Sequence, residues 1–419
     1  MHLPRTPLVV AFVPVLAMSP IQAADPWEPD PAVVENASAN SEFNYREDAI
    51  PPYSLPDVLG EAQSRDAWES SRRGELIELF REHVYGRRPD APLDDLAFEV
   101  KRTDPAALDG KATLKEVAIT CTKDGESLVI DLVLFTPNDA AEPAPAFLLI
   151  NNRDPENIDP NSEEDNGFWP VATIVARGYA AAAFNNRDVD PDKHDGFKDG
   201  VHGLFEDSSE RTPHSWGTLS AWGWGASRCL DYLETEAGVD AAKVAVIGHS
   251  RGGKTALWAA VEDDRFAMAV SNESGCGGAA LSRRKFGETV ARITSSFPHW
   301  FCGKFAEYGG NEDALPVDQH QLIALLAPRA AYVASAAEDL WADPRGEFLA
   351  LAHASPAFAL YGLDTLAPDP MPALDSPVSA GHQGYHIRPG KHGLTPADWE
   401  RYLDFADDAV VKNPGSPQD

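Results

Sequence analysis

The sequence predicts an α/β protein: a three-layer sandwich around a mostly parallel central sheet, in one large domain. Three observations carry this. The runs "AFLLI", "GYAAAAF", "KVAVIG", "FAMAVS" and "RAAYVAS" are short, apolar and nearly uninterrupted, the pattern of strands buried on both faces. Helical stretches such as "SAWGWGASRCLDYLETE" separate several of them, which is the β-α-β rhythm of a parallel sheet. The stretch "GHSRGGKT", residues 248–255, sets glycines at a strand–turn–helix junction.

Taken in order, residues 1–23 read as a secretory signal. Arg5 precedes the apolar run "PLVVAFVPVLAM", and small residues at "IQAADP" place cleavage after Ala23 or Ala24. The run is too short and proline-broken to span a bilayer, so a secreted or periplasmic protein without a membrane partner is expected. Residues 24–60, rich in proline, acid and asparagine, read as an extended arm. Residues 61–419 read as the single domain. It opens with a helix over 66–85, where Leu76, Leu79, Phe80 and Val84 share a helical spacing. Glycine and proline at "GRRPD" end that helix. "TLKEVAITC" and "SLVIDLVLFTP" alternate as antiparallel strands before the parallel runs begin. The short echo "NNRD", at 151–154 and 185–188, follows a buried strand both times. Both copies should therefore lie at the carboxyl edge of the sheet, where open α/β folds bind ligands. "YHIRPG" reads as the last strand.

Composition narrows the function. An apolar fraction of 43% with 10 tryptophans indicates a packed globular protein. A net charge of −31 repels nucleic acid and anionic membranes. Cys121, Cys229, Cys276 and Cys302 have irregular spacing and no CxxC pair, which argues against zinc. They fit either up to two disulfides or buried free thiols.

"GHSRGGKT" satisfies two catalytic patterns. As G-x-x-x-x-G-K-[ST], from Gly248 to Thr255, it is a phosphate loop. As G-x-S-x-G, it is the nucleophile elbow of the α/β-hydrolase fold, with Ser250 as nucleophile. A phosphate loop needs a later acid for magnesium, and the next strand offers only Glu273, in "AVSNESG". An elbow needs an acid and then a histidine downstream, and the chain supplies both. Three histidines compete. His386 falls within the last strand and His382 before it. His392 follows that strand in a glycine-flanked loop, where this fold presents its base. The acid stays open between Glu273, after the strand following the elbow helix, and Asp339, after the next strand. Either can orient the histidine. Arg251 supplies an N–H at the helix start and a cation for the oxyanion.

With those residues in place a resemblance emerges. "GHSRGGKTALWAAVEDDRFAMAVSNESGCGG", followed by "FPHWFC", "DLWADPRGEF" and "KHGLTPADW", resembles the glucuronoyl esterases of carbohydrate esterase family 15. The likeness runs from "NYREDAIPPYSLPDVL" to the end. It implies a serine esterase that cleaves glucuronoyl or 4-O-methyl-glucuronoyl esters joining xylan to lignin alcohols. It implies Ser250 as nucleophile, His392 as base and Arg251 at the oxyanion. It favours Glu273 as main acid with Asp339 contributing. It further implies that Lys254 binds sugar hydroxyls, that Glu288 contacts the sugar and that Trp341 lines the sugar site. No cofactor or metal is implied, and a monomer is expected. Fungal members join a cysteine before the serine to one after the histidine. Here His249 and Gly393 stand there, as in a bacterial-type member. An acetyl-xylan or general carboxylesterase on the same fold, and a non-catalytic carbohydrate-binding pseudoenzyme, are the alternatives.

Overall fold

Residues 25–39, 41–162 and 166–412 are described by the computed structural model; the expected signal segment lies outside them. The arm is not extended throughout. Asp30 accepts a hydrogen bond from the Ala32 N–H at 2.7 Å and Pro31 occupies the first turn, starting helix α1 (Pro31–Ser38). Around α1 the arm buries Trp27, Tyr45 and Val58 against the domain.

The expected helix over 66–85 forms, with α2 (Arg73–Phe80) at its centre and a π turn on either side, at Trp68–Arg72 and Arg81–Tyr85. It stops at Gly86, which takes φ 84. A side-chain carbon there would lie 2.4 Å from the Ser215 carbonyl oxygen, so only glycine fits.

The sheet begins one strand earlier than the sequence suggests. β1 (Asp95–Ala106) is half exposed and highly charged, which hides its alternation. It pairs antiparallel with β2 (Ala112–Lys123), and β2 with β3 (Glu126–Pro137). Next come β4 (Ala144–Asn151), β5 (Ala180–Asn185), helix α3 (Thr218–Leu233), β6 (Val239–His249) and helix α4 (Arg251–Glu262). They are followed by β7 (Met268–Asn272), β8 (Ala330–Ala336), helix α5 (Pro344–His353), β9 (Val378–Ala380), β10 (Gln383–Arg388) and helix α6 (Pro396–Ala406). The strand order is β1-β2-β3-β5-β4-β6-β7-β8-β10-β9. From β5 through β10 every pairing is parallel.

The apolar runs are continuous because both faces are covered. Along β4, Ala146, Leu148 and Ile150 pack into one apolar layer, and Phe147 and Leu149 into the other. On the first face α3 and α4 pack closely, with Gly223 opposite Ala259. On the second, Phe147 lies 5.3 Å from Tyr179 and 5.6 Å from Trp399 of α6, ring centre to ring centre. The chain leaves β4 for β5 on one side and returns to β6 on the other. This is the switch point outside which α/β sheets place their ligands. Both NNRD copies end there, on β4 and β5.

The four cysteines are free and buried. Burial pushes the Cys121 thiol up to about 12 and the Cys302 thiol up to about 11, so they act as packing groups rather than nucleophiles. Among the described residues no helix is long and apolar enough to cross a membrane.

Phe147→Ala should lower unfolding stability by about 3–5 kcal/mol, since it empties a fully buried ring site. Guanidinium denaturation should show a reduced midpoint with an unchanged slope.

Candidate active site

The turn between β6 and α4 brings backbone against backbone. A side-chain carbon on Gly248 would lie 2.1 Å from the Gly252 carbonyl carbon. Ser250 sits at the apex with φ 57 and ψ −123, a strained conformation for a residue with a side chain. The fold holds it there: its N–H donates to the Asn272 carbonyl at 2.9 Å, and its carbonyl accepts from the Gly253 N–H at 2.9 Å. Arg251 follows Ser250 and opens α4, so its N–H has no intrahelical acceptor.

His392 arrives from the loop after β10. Its Nδ1 is 2.6 Å from Asp339 Oδ2 and 3.2 Å from Glu273 Oε2. Both acids therefore face the same nitrogen, from the loops after β8 and β7. They differ in their other duties. Glu273 Oε1 accepts from Arg388 Nη2 at 2.6 Å, and Oε2 from the Gly393 N–H at 2.7 Å. Arg388 also donates to the carbonyls of Lys391 at 3.0 Å and Gly393 at 2.7 Å. Glu273 and Arg388 thus fasten the loop that carries His392, whereas among the described residues the Asp339 carboxylate bonds the imidazole alone. The family resemblance favours Glu273; the shorter contact belongs to Asp339. Burial alone would lower the His392 imidazolium. Asp339 and then Glu273 outweigh it and hold the group up at about 9.

The remaining residues singled out from the sequence line the same cleft, of about 310 Å³. Lys254 is buried, with Nζ donating to the Ser274 carbonyl and, at 2.7 Å, to the Cys276 carbonyl. Glu288 Oε2 lies 3.9 Å from it. These neighbours are acceptors, an unsuitable cradle for a phosphate. The Glu288 N–H donates to the Trp341 carbonyl at 3.0 Å, which ties one sugar-site candidate to the other. The Trp341 ring is held edge-on by Phe43 of the arm, 5.0 Å between centres. The Arg251 guanidinium is bonded to Asp192 and lies 5.1 Å from the Trp300 ring centre. Burial works against the Asp192 carboxylate, yet hydrogen bonds from His299, Trp300 and Arg251 hold it at about 2.

Asp192, Arg388, Arg153 and Asn272 escape sequence reasoning as site residues. Asp192 and Arg388 carry no local motif; their signal is spatial, an acid from a loop and a cation from the end of β10. Of the rival histidines, His386 bonds Asp398 at 2.8 Å within the core, and His382 the Pro328 carbonyl at 2.5 Å. Glu273, Asp339 and His392 also offer ligand atoms within 4.8 Å of one another. A metal there would take the imidazole nitrogen that now faces both acids.

Comparison with known proteins places the chain among carbohydrate esterases. The family profile described as "Glucuronyl esterase, fungi" matches residues 119–362. A carbohydrate esterase from an unknown prokaryotic organism is 40% identical over 419 residues, 91% of this chain and 94% of that one. A glucuronoyl esterase from Solibacter usitatus superposes with a TM-score of 0.80 at 40% identity, covering 86% of this chain and 99% of that one. A promiscuous carbohydrate esterase family 15 enzyme from a marine bacterial metagenome gives a TM-score of 0.79 at 40% identity, covering 88% and 100%.

An imidazole must be neutral to take the serine proton. Labelling of Ser250 by a fluorophosphonate should therefore rise with pH through a midpoint displaced upward from the usual histidine value towards about 9. Asp339→Asn should move that midpoint down. A native midpoint at or below the usual histidine value would contradict the assignment of both carboxylates to His392.

Proposed function

The chain belongs to the glucuronoyl esterase family, carbohydrate esterase family 15, whose members are carboxylic ester hydrolases. We propose that it cleaves glucuronoyl and 4-O-methyl-glucuronoyl esters that join xylan to lignin alcohols. One observation carries this reading. A single cleft holds Ser250, His392 and Asp339 together with Lys254, Glu288 and Trp341. A reacting serine thus faces directed polar groups and an indole plane, the means of holding a pyranose.

The mechanism is a two-step acyl transfer. His392 takes the Ser250 proton as the hydroxyl oxygen attacks the C6 carbonyl of the uronate. Asp339 orients the Nδ1–H and stabilises the imidazolium. Glu273, neutralised by Arg388, adds to that field and keeps the histidine loop in place. The oxyanion is met by the Arg251 N–H and the nearby guanidinium charge. His392 then protonates the departing alcohol, and water attacks the acyl-serine along the same path in reverse. Lys254 and Glu288 receive ring hydroxyls, and Trp341 lies against the ring. The protein is proposed to act outside the cytoplasm, where such polymers occur.

A second reading has a specific observation behind it. The marine relative is described as promiscuous, so simpler esters are plausible substrates of the same serine.

Ser250→Ala should cut turnover of benzyl glucuronate by about 10⁴-fold or more with the fold intact. Activity near the native level would refute the triad. Asp339→Asn should cost far more kcat than Glu273→Gln, because only the former leaves the imidazole without its orienting partner. The reverse order would transfer the role to Glu273. Glu288→Gln should raise KM for benzyl glucuronate while leaving kcat/KM on p-nitrophenyl acetate unchanged. Equal losses on both esters would remove Glu288 from sugar binding.

A further inference from the structure

His249 and Arg153 stand beside this machinery and take no part in it as described so far. His249 precedes the nucleophile, is fully buried, and holds its ring 4.4 Å from that of His392 at an interplanar angle of 44°. Its Nε2 is 2.9 Å from Arg153 Nη2, and its Nδ1 is 2.6 Å from Asn272 Oδ1.

These contacts determine the protonation of His249 by elimination. A guanidinium only donates, so Nε2 must accept. Nδ1 then carries the proton of the neutral ring and needs an acceptor. Asn272 meets that need with its carbonyl oxygen, and its amide group turns the other way to donate to the Tyr402 hydroxyl at 2.9 Å. In this arrangement alone each of the three contacts from Arg153 through His249 and Asn272 to Tyr402 has one donor and one acceptor. A second proton on His249 has no place unless Arg153 leaves. Burial opposes it first, and so do the charged groups around the ring, His392 from the loop after β10, Arg153 from the loop after β4 and Arg388 from β10. Phe168 covers another side, 6.0 Å between ring centres.

Arg153 itself is unusual in so acidic a chain. Its guanidinium makes no ion pair among the described residues, and its side-chain partner is this neutral ring. It belongs to the first NNRD copy. Asn151 of that copy accepts from the Arg153 N–H at 3.0 Å, and Asn185 of the second copy donates to the Arg153 carbonyl at 3.2 Å. The echo in the sequence is thus a pair of asparagine-closed turns that set one arginine.

The consequence lies in the reaction. When Ser250 attacks, His392 becomes an imidazolium. A neighbouring imidazole at that spacing that also took a proton would set like charges against each other. We propose that Arg153 and His249 form a positioning pair for the reaction, Arg153 holding His249 neutral and the neutral ring backing His392 against Asp339. This rests on the reading of Ser250 as nucleophile and His392 as base.

The test is the rate of Ser250 labelling by a fluorophosphonate, measured from about pH 7.5 to about pH 5.5 and expressed as variant over native. Arg153→Met frees Nε2, so His249 should take a proton in this range. The ratio should rise about threefold at the acid end, because a charge on His249 lowers the His392 midpoint from about 9 and leaves more of that imidazole neutral. Arg153→Lys keeps a donor-only cation and should give a flat ratio, as should His249→Phe, which cannot titrate. A merely structural role for Arg153 gives a ratio that does not vary with pH, and parallel curves for Arg153→Met and the native enzyme would overturn the pairing. Should Arg153→Met not fold, imidazole nitrogen NMR on the native enzyme decides. His249 should remain the neutral Nδ1–H tautomer throughout the pH range of the labelling series; titration of His249 within that range would overturn the proposal. A native enzyme that does not label at all would instead overturn the triad on which the pairing rests.

Discussion

β6 and α4 meet at Gly248 and Gly252 more closely than any residue with a side chain allows. That contact turns the chain sharply enough to leave Ser250 in the left-handed half of backbone space. The strain persists because the strand before it and the helix after it are buried in the sheet and its covering layer. Once the serine is fixed, the other parts have to come to it. The acids come from the loops after β7 and β8, the histidine from the loop after β10, and the far wall from Lys254, Glu288 and Trp341. The parallel sheet makes this possible, since all of these strands end at the same edge.

Charge is organised at the site in a way the overall composition does not suggest. A chain with a net charge of −31 might be expected to crowd its cleft with unpaired acids. Instead each buried carboxylate there has its own cation. Glu273 has Arg388, Asp192 has Arg251, and Glu288 faces Lys254. Asp339 is left for His392. Pairing of this kind works against burial to different degrees: it holds Asp192 at about 2, while burial still pushes Glu273 up to about 7 and Glu288 above its usual range. It also lets two acids face one imidazole without doing the same work.

The parts of this arrangement visible in the sequence are those with local signatures. The central strands announce themselves as unbroken apolar runs, and the elbow by glycines two residues either side of a serine. His392 follows from its place after the last strand. Lys254, Glu288 and Trp341 needed the family resemblance, since a buried lysine or tryptophan has no local mark of function. Other features were hidden for physical reasons. β1 lies half exposed, so its face reads as polar. Two turns of helix interrupt the arm because Asp30 and Pro31 start them. The sharing of labour between Glu273 and Asp339 depends on Arg388, which the sequence shows only as one residue of a strand. Likewise, the neutral state of His249 is set by Arg153, from the loop after β4, and Asn272, at the end of β7.

The arm carries a consequence for how the cleft comes into being. Phe43 steadies the Trp341 ring, Asn44 accepts from the Gly287 N–H at 2.8 Å, and Glu47 accepts from Arg284 across 237 residues of sequence. Contacts of such long sequence separation are entropically slow to close. The elbow is built from a strand and helix adjacent in sequence, whereas the wall around Trp341 and Gly287 joins the arm to a distant part of the chain. That wall therefore carries the higher closure cost, and loss of the arm would loosen it while leaving the elbow its own contacts.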